Sequence, residues 1–384
     1  MIKKLLVIIP DRLSVLIQKG EIVPRYYNPG NLFDEVHIMM TNDDQPNPQQ
    51  VQPMVGNAKL FLYNHPEPAH FFMNTLGWQY FLIRSWLNKP LTTIKNISPL
   101  VIRCYGMHLN LAIASRIKQK LNIPLLVSLH THPILDAHKE RLSFKQKIVQ
   151  TFTMLLSKNL KNADLILPVY RGIANFLDNL NIKNYKILYN TVGVYEDQTK
   201  KKFDFDKEFK LICIGQQIPN KNPENLIRAV AKLEKKVSLD IVGTGMLNKH
   251  LKRLVGELKA GDRIKFISSV PHLELCENLR NYDCFAASID CIGISKTVIE
   301  SFLVKLPVLL NYNSHEQVPE LNEYMCLRVS DTLEGYADGI KKLMQNKKLR
   351  VDLSEYAYKI AWENWSPEET ERQHTDIYKK YMLS

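Results

Sequence analysis

Short apolar runs alternate along this chain with stretches whose apolar positions recur at three- and four-residue spacing. In the first half Lys3–Ile9, Glu35–Met40, Ala58–Tyr63, Leu100–Ile102, Leu125–Leu129, Leu165–Pro168 and Tyr185–Leu188 read as strands, with Leu109–Leu121 and Arg171–Leu180 as helices. In the second half Lys210–Gly215, Leu239–Val242, Ile264–Ile267, Cys284–Ala287 and Leu306–Leu310 read as strands. A helix with Leu226, Ala229, Val230 and Leu233 at i, i+3, i+4 and i+7 follows the first of these. Strands alternating with helices predict an α/β protein with parallel sheets and a ligand at the carboxyl edge. At 384 residues a single core is too small a plan, and two domains fit. The polar, aperiodic run Glu196–Lys202 puts the boundary between about Val194 and Glu208. That gives an N-terminal domain over 1–195 and a C-terminal one over 205–365. Ser366-Pro367 breaks the chain and starts a last helix over 366–384.

The residues at the strand ends carry the candidate chemistry. Gly215-Gln216 and then Lys221 follow the first strand of the second series, and Gly243-Thr244-Gly245 follows the next. The third leads into Val270-Pro271-His272, and the fourth into Ile292–Glu300 with Lys305-Leu306-Pro307-Val308 beyond. This order and spacing resembles the nucleotide-sugar-binding half of family-4 retaining glycosyltransferases of the GT-B fold, in which two Rossmann-like domains face an interdomain cleft. That family's first loop reads Gly-Arg-x4-Lys, and later it carries Glu-x7-Glu. Here Lys221 matches, Gln216 stands for the Arg, Glu300 is the second Glu, and Ile292 occupies the place of the first. In the N-terminal half the runs Pro124–His130, Asn162–Leu167 and Ile187–Val192 resemble the same enzymes, so the likeness covers nearly the whole chain.

The resemblance implies a metal-independent transfer of a sugar from a nucleotide-diphospho-sugar to a glycan or lipid-linked acceptor. It assigns Gly215, Gln216, Lys221, Gly243, Val270, Gly293, Ile294, Ser295, Thr297, Val298 and Glu300 to the donor. His130, Lys221 and Glu300 are the expected catalytic residues. A positioned ammonium at Lys221 can stabilise a departing diphosphate. Gln216 donates a hydrogen bond without charge, a softer clamp than arginine. Gly293 allows close approach to the backbone. The amides of Ser295, Thr297 and Val298 at a helix start suit an anion. Glu300, by resemblance, accepts from the donor ribose; the plain alternative is a charge near a helix N-terminus. His130 ends a strand, as a cleft residue by resemblance or otherwise as a surface one, with His132 behind it. Gly20 ends a short helix-like run, and Arg25 lies on the loop Pro24–Gly30 that follows; both are acceptor-side candidates, on a loop that either holds an acceptor, with Arg25 on a phosphate, or packs on the surface.

Charge is uneven. Residues 1–200 hold 23 Lys/Arg against 13 Asp/Glu, which places most of the net +12 in the N-terminal half. The basic amphipathic run Lys139–Lys161 suits an anionic membrane surface, or else covers a core with its solvated face outward. No basic-aromatic recognition motif accompanies it, so nucleic acid is not an expected partner. The six cysteines lack zinc spacing, which predicts a reduced, cytoplasmic chain, peripheral to the membrane where the basic face engages it. Asp204-Phe205-Asp206 matches the DxD metal pattern of another glycosyltransferase fold but sits in a charged connector. Two functional readings remain: an active transferase, or a catalytically impaired partner subunit favoured by Gln216 and Ile292. An epimerase lacks its carboxylate pairs here.

Overall fold

The computed structural model describes residues 2–67, 79–132, 156–194, 198–205, 207–234, 236–290, 293–312 and 318–382, with the backbone alone for 79–83. The chain divides into two compact units. One comprises Met1–Tyr189 with Thr370–Ser384, the other Asn190–Glu369. The Lys139–Lys161 run lies largely outside the described residues, as do Cys291 and Ile292.

The first unit is built on β1 (Lys4–Ile9), β2 (Glu35–Met40), β3 (Lys59–Asn64), β4 (Val101–Tyr105), β5 (Leu125–Leu129) and β6 (Leu165–Pro168). Every pairing is parallel, in the order β3-β2-β1-β4-β5-β6. β4 and β5 are buried along their whole length, and β1 after its first residue. Such strands are covered on both faces, which is why they read as unbroken apolar runs rather than alternating ones. Tyr185–Leu188 does not form the expected strand. It closes only an isolated bridge from Tyr185 to Ile166, with Lys186 and Leu188 amides donating to Ile166 and Pro168 carbonyls. Arg171–Leu180 likewise splits into a 3-10 turn over Arg171–Ile173 and a helix over Ala174–Asn179.

The helix Pro367–Met382 supplies the last piece of this unit from Thr370 onward. Tyr378 is buried edge-on to Phe33, with ring centroids 5.2 Å apart. Glu371 accepts from the Arg25 guanidinium at 2.8 Å and from the Gly30 amide at 2.8 Å. Arg103, 2% exposed, points its guanidinium at the Tyr105 and Tyr378 rings, 5.4 and 5.9 Å from their centroids.

The second unit repeats the plan with β7 (Phe209–Ile214), β8 (Val237–Val242), β9 (Ile264–Ile267), β10 (Cys284–Ala287), β11 (Val308–Asn311) and β12 (Leu327–Val329). Their order is β12-β11-β10-β7-β8-β9, again all parallel. The helix Glu224–Lys232 buries Leu226, Ile227, Ala229 and Val230. The polar run after Val194 behaves unlike a solvated connector where it is described. Lys200 is 8% exposed and donates to the Tyr282 carbonyl at 2.6 Å and to Arg280 at 3.3 Å, with Asp283 at 3.5 Å. Asp204, of the DxD pattern, pairs with Lys347 at 2.6 Å and so is committed to an ion pair. Among the described residues no helix is long and apolar enough to cross a membrane.

His374 offers a test of how the C-terminal helix is held. Its Nδ1 lies 2.7 Å from the Thr370 carbonyl. Burial, and after it the Arg103 charge, push the imidazole down to about 3. A depressed pKa means that the unfolded chain takes up the extra proton first. Stability should therefore be lost as pH falls through the window from 6.5 toward about 3, and stay flat from this source above it. Urea midpoints at about pH 4 and about pH 7.5 should separate less in His374→Gln than in the parent. Equal separations would show that another group titrates.

Candidate functional site

Strand order reverses between β7 and β10, and loops leaving the two strands diverge there to leave a crevice at the sheet's carboxyl edge. The backbone leaves β7 through Gly215 at φ +152 and β8 through Gly243 at φ +123. Both conformations disfavour a side chain, and space forbids one at the second position. A Cβ on Gly243 would stand 2.2 Å from the Gly215 carbonyl oxygen, and one on Gly245 would stand 2.4 Å from that of Gln217. The two loops are laced together. The Gly215 amide donates to Val242 at 3.0 Å and the Gln217 amide to Thr244 at 3.0 Å. The Gln217 side chain, 1% exposed, donates to the Gly243 carbonyl at 2.8 Å and accepts from Asn248 at 2.7 Å.

Above these loops lies a recess of about 350 Å³, counting its open mouth. Gly215, Gln216, Lys221, Ser288, Ser295 and Thr297 line it, over a floor that includes Cys213 and Ala287. A 3-10 turn over Pro219–Lys221 aims the lysine, whose Cδ comes 3.8 Å from where a Gly215 Cβ would be. The Asp290 amide donates to Asn220 at 3.0 Å, tying the lysine turn to the loop after β10. Ser295 caps the helix Lys296–Leu303, its hydroxyl accepting from the Val298 amide at 3.4 Å and lying 3.1 Å from the Thr297 hydroxyl. Burial pushes the Cys213 thiol up to about 12, with Lys221 acting the other way, so the floor is an inert thiol. A concave wall of hydroxyls and amide around one ammonium suits a polar, anionic ligand.

The structure thus brings Gly215, Gln216, Lys221, Ser295 and Thr297 together, with Gly243 supporting them from beneath. Val270, Gly293, Ile294, Val298 and Glu300 are not among the described residues lining the recess. Val298 is core, 1% exposed, and its amide already serves the Ser295 cap. Glu300 is 1% exposed, and its Oε1 lies 2.8 Å from His272 Nε2. Ile292 lies outside the described residues. The remaining candidates belong to the first unit. His130 leaves β5 with its ring 5.6 Å from that of Tyr105, and His132 is buried 5.6 Å from Phe176. Gly20 ends a short helix at φ +69, and Arg25 is engaged with Glu371. Gln217 and Ser288 went unread in the sequence. Gln217 follows a residue of the same type with no periodicity to separate them, and Ser288 merely ends an apolar strand.

The interlocked glycines predict opposite effects for one substitution at two sites. Gly243→Ala should cost about 2–3 kcal/mol, since backbone rather than a movable side chain blocks the methyl. Gly256→Ala, in the helix Asn248–Glu257 with nothing within 4 Å of the added carbon, should gain about 0.5–1 kcal/mol. Urea unfolding of both variants checks the pair; equal effects would mean that the close approach of the two loops is not rigid.

Residues 195–360, less than half of the chain, match the family Glycosyl transferases group 1. An uncharacterized glycosyltransferase of Methanocaldococcus jannaschii is 25% identical over 254 residues, covering 62% of this chain and 64% of the relative. The Campylobacter jejuni N-acetylgalactosamine-N,N'-diacetylbacillosaminyl-diphospho-undecaprenol 4-alpha-N-acetylgalactosaminyltransferase is 28% identical over 207 residues, covering 51% and 55%. The chain therefore spans less than two thirds of the length of these curated relatives. Among solved structures HepE of Anabaena, crystallised with UDP and glucose, superposes with a TM-score of 0.71 at 13% identity, covering 99% of this chain and 100% of that one. At that identity the likeness concerns fold. Residues 195–360 carry a domain of the Glycosyl transferases group 1 family, and the chain has the α/β GT-B fold of two Rossmann-like units, each on a parallel six-stranded sheet.

Proposed function

We propose that this chain is a family-4-type retaining glycosyltransferase that moves a sugar from a nucleotide-diphospho-sugar to a glycan or lipid-linked acceptor. The observation that carries the reading is Lys221 laid over Gly215 at the switch point of the second sheet, in a recess whose other lining residues are uncharged and include the hydrogen-bonding Gln216, Gln217, Ser288, Ser295 and Thr297. A diphosphate leaving group gains charge as the glycosidic bond breaks, and a fixed ammonium stabilises that state more than the ground state. Gln216 adds a donor without charge. Ser295 and Thr297 hydroxyls complete the polar wall. His130 and Glu300 keep their proposed roles toward sugar and ribose. The charge of the leaving group falls to Lys221 in this scheme, with no metal step; Asp204, from the DxD pattern, is engaged by Lys347 instead.

Relatives guide the substrate class. Anabaena HepE has been crystallised with UDP-glucose, and the Campylobacter relative is named for a diphospho-undecaprenol-linked acceptor. By analogy a lipid-linked acceptor would bring the basic N-terminal half, with its 23 Lys/Arg against 13 Asp/Glu over residues 1–200, to an anionic membrane surface. Co-sedimentation with phosphatidylserine liposomes should fall as salt rises. Binding indifferent to both salt and lipid charge would remove the membrane part.

The second reading, a partner subunit without turnover, is favoured by Gln216 in place of arginine and by Glu300 held on His272. Lys221 decides between them. Lys221→Ala should lower transfer from a UDP-sugar panel about 10²–10³-fold, roughly 2.7–4 kcal/mol, while leaving the unfolding midpoint nearly unchanged. Transfer unaffected by the substitution would defeat the site assignment. No thermal shift with any nucleotide-sugar would hand the chain to the second reading.

A further inference from the structure

The His272–Glu300 pair has a third member that the donor site does not use. His272 and Cys276 stand one turn apart on the helix His272–Leu279, hence on one face, and Glu300 reaches them from the helix Lys296–Leu303. His272 Nε2 is 2.8 Å from Glu300 Oε1 and 3.7 Å from Cys276 Sγ. One ligand atom from each residue lies within 4.8 Å of the other two. Cys276 and Glu300 are buried, and the His272 side chain, 16% exposed, forms the edge open to solvent. The imidazole is held from behind. A Cβ on Gly193 would come 3.1 Å from its Cε1 and 3.3 Å from its Nδ1, so the backbone of residue 193 is the wall that sets the ring.

We propose that His272, Cys276 and Glu300 form a binding site for a thiophilic divalent transition metal, with zinc the ion this ligand set suits best. Imidazole, thiolate and carboxylate are all zinc ligands, and three of them leave a fourth position for water or a ligand. Magnesium and calcium take oxygen donors and are poorly matched by the thiol and the imidazole. The atoms need to move apart only modestly from hydrogen-bonding to ligating distances, with helix side chains rather than backbone supplying the change. Burial, and after it the Glu300 and Glu277 charges, push the Cys276 thiol up, so without an ion it stays protonated. Binding then exchanges the thiol proton for the metal: the S–H bond breaks, an S–metal bond forms, and one proton leaves to solvent. The imidazole must present a lone pair at Nε2, so any proton there moves to Nδ1 or to water.

A metal here would engage Glu300, the residue assigned above to the donor ribose. It should therefore compete with nucleotide, a consequence that rests on the proposed function, whereas metal binding itself does not. The test is titration of the full chain with cobalt(II), whose thiolate bonds give a charge-transfer absorption and whose tetrahedral sites give intense visible bands. One equivalent with both features is expected. Cys276→Ser should abolish the charge-transfer band, and His272→Gln should weaken affinity at least about 10-fold. Cys326→Ser, at another buried cysteine, should change neither. Circular dichroism and unfolding midpoints of each variant verify that the fold survives; if Cys276→Ser does not fold, His272→Gln carries the decision. A spectrum without a thiolate band, or one unchanged in either variant, overturns the site. UDP is then titrated with and without zinc(II). Competition supports the shared carboxylate. Independent binding of both leaves the metal site standing and removes Glu300 from the donor. Failure of UDP to bind in either case counts against the transferase reading alone.

Discussion

Everything in the second unit's site follows from two backbones that pass too close for any side chain. The Gly215 carbonyl occupies the space that a Cβ on Gly243 would need, and Gln217 occupies that of Gly245. Parallel strands β7 and β8 are neighbours, and their exits stay side by side; hydrogen bonds from Gly215, Gln217 and the Gln217 side chain hold the two loops together. The chain is thereby turned back over the sheet edge in a tight 3-10 turn, and Lys221 lands above Gly215. A flexible lysine on an ordinary loop would hold its charge in many positions. Beside these paired loops it holds it over one recess, the preorganisation that the role proposed for it would need.

Glu300 shows the opposite use of constraint. A carboxylate 1% exposed is expensive unless its lone pairs are met, and His272 meets one of them at 2.8 Å. The helix that carries Glu300 otherwise presents Val298, Ile299, Phe302 and Leu303 to the core, so the carboxylate is an exception on a buried face. Stability alone would favour an apolar residue there. A buried carboxylate with His272 as its side-chain partner among the described residues, beside a thiol, is better understood as a group kept for ligands, whether the ligand is a hydroxyl pair or an ion.

Much of the fold was legible because parallel strands are covered on both faces and therefore appear as apolar runs. Lys3–Ile9 and Leu125–Leu129 could hardly be read otherwise. The errors fall where one face or one neighbour is missing. Tyr185–Leu188 runs beside β6 with Lys186 in solvent, and β12 is a three-residue edge strand with too short a pattern to notice. Lys200 misled differently: its charge reads as a solvated connector, but its ammonium satisfies backbone carbonyls at the end of a helix and is buried in doing so. For the site, Gly215 was readable as the glycine that cuts an apolar run, and Lys221 only through the resemblance of its loop to the Gly-Arg-x4-Lys of the glycosyltransferases. Gln217 was not, because its role is to hold another loop by its carbonyl, and no local pattern in sequence records a partner twenty-six residues away.

Arg103 poses the same question in the first unit that Glu300 poses in the second. It sits in the middle of β4, between buried apolar neighbours, and Nε and Nη1 of its guanidinium find no hydrogen-bond partner among the described residues. The compensation on hand is aromatic: the faces of Tyr105 and Tyr378, with Tyr26 and Tyr27 packed onto Tyr105 at 5.8 and 5.5 Å. Ring quadrupoles offset a desolvated cation by about 2 kcal/mol or somewhat more each, less than the cost of burying it bare. The charge in turn helps hold His374 neutral, which leaves the imidazole to bond the Thr370 carbonyl within its own helix. One buried cation therefore couples the tyrosine cluster at the end of β4 to the protonation state of the C-terminal helix. Tyr378, more than 270 positions from Arg103 in sequence, is thereby part of the same core as β1 and β4.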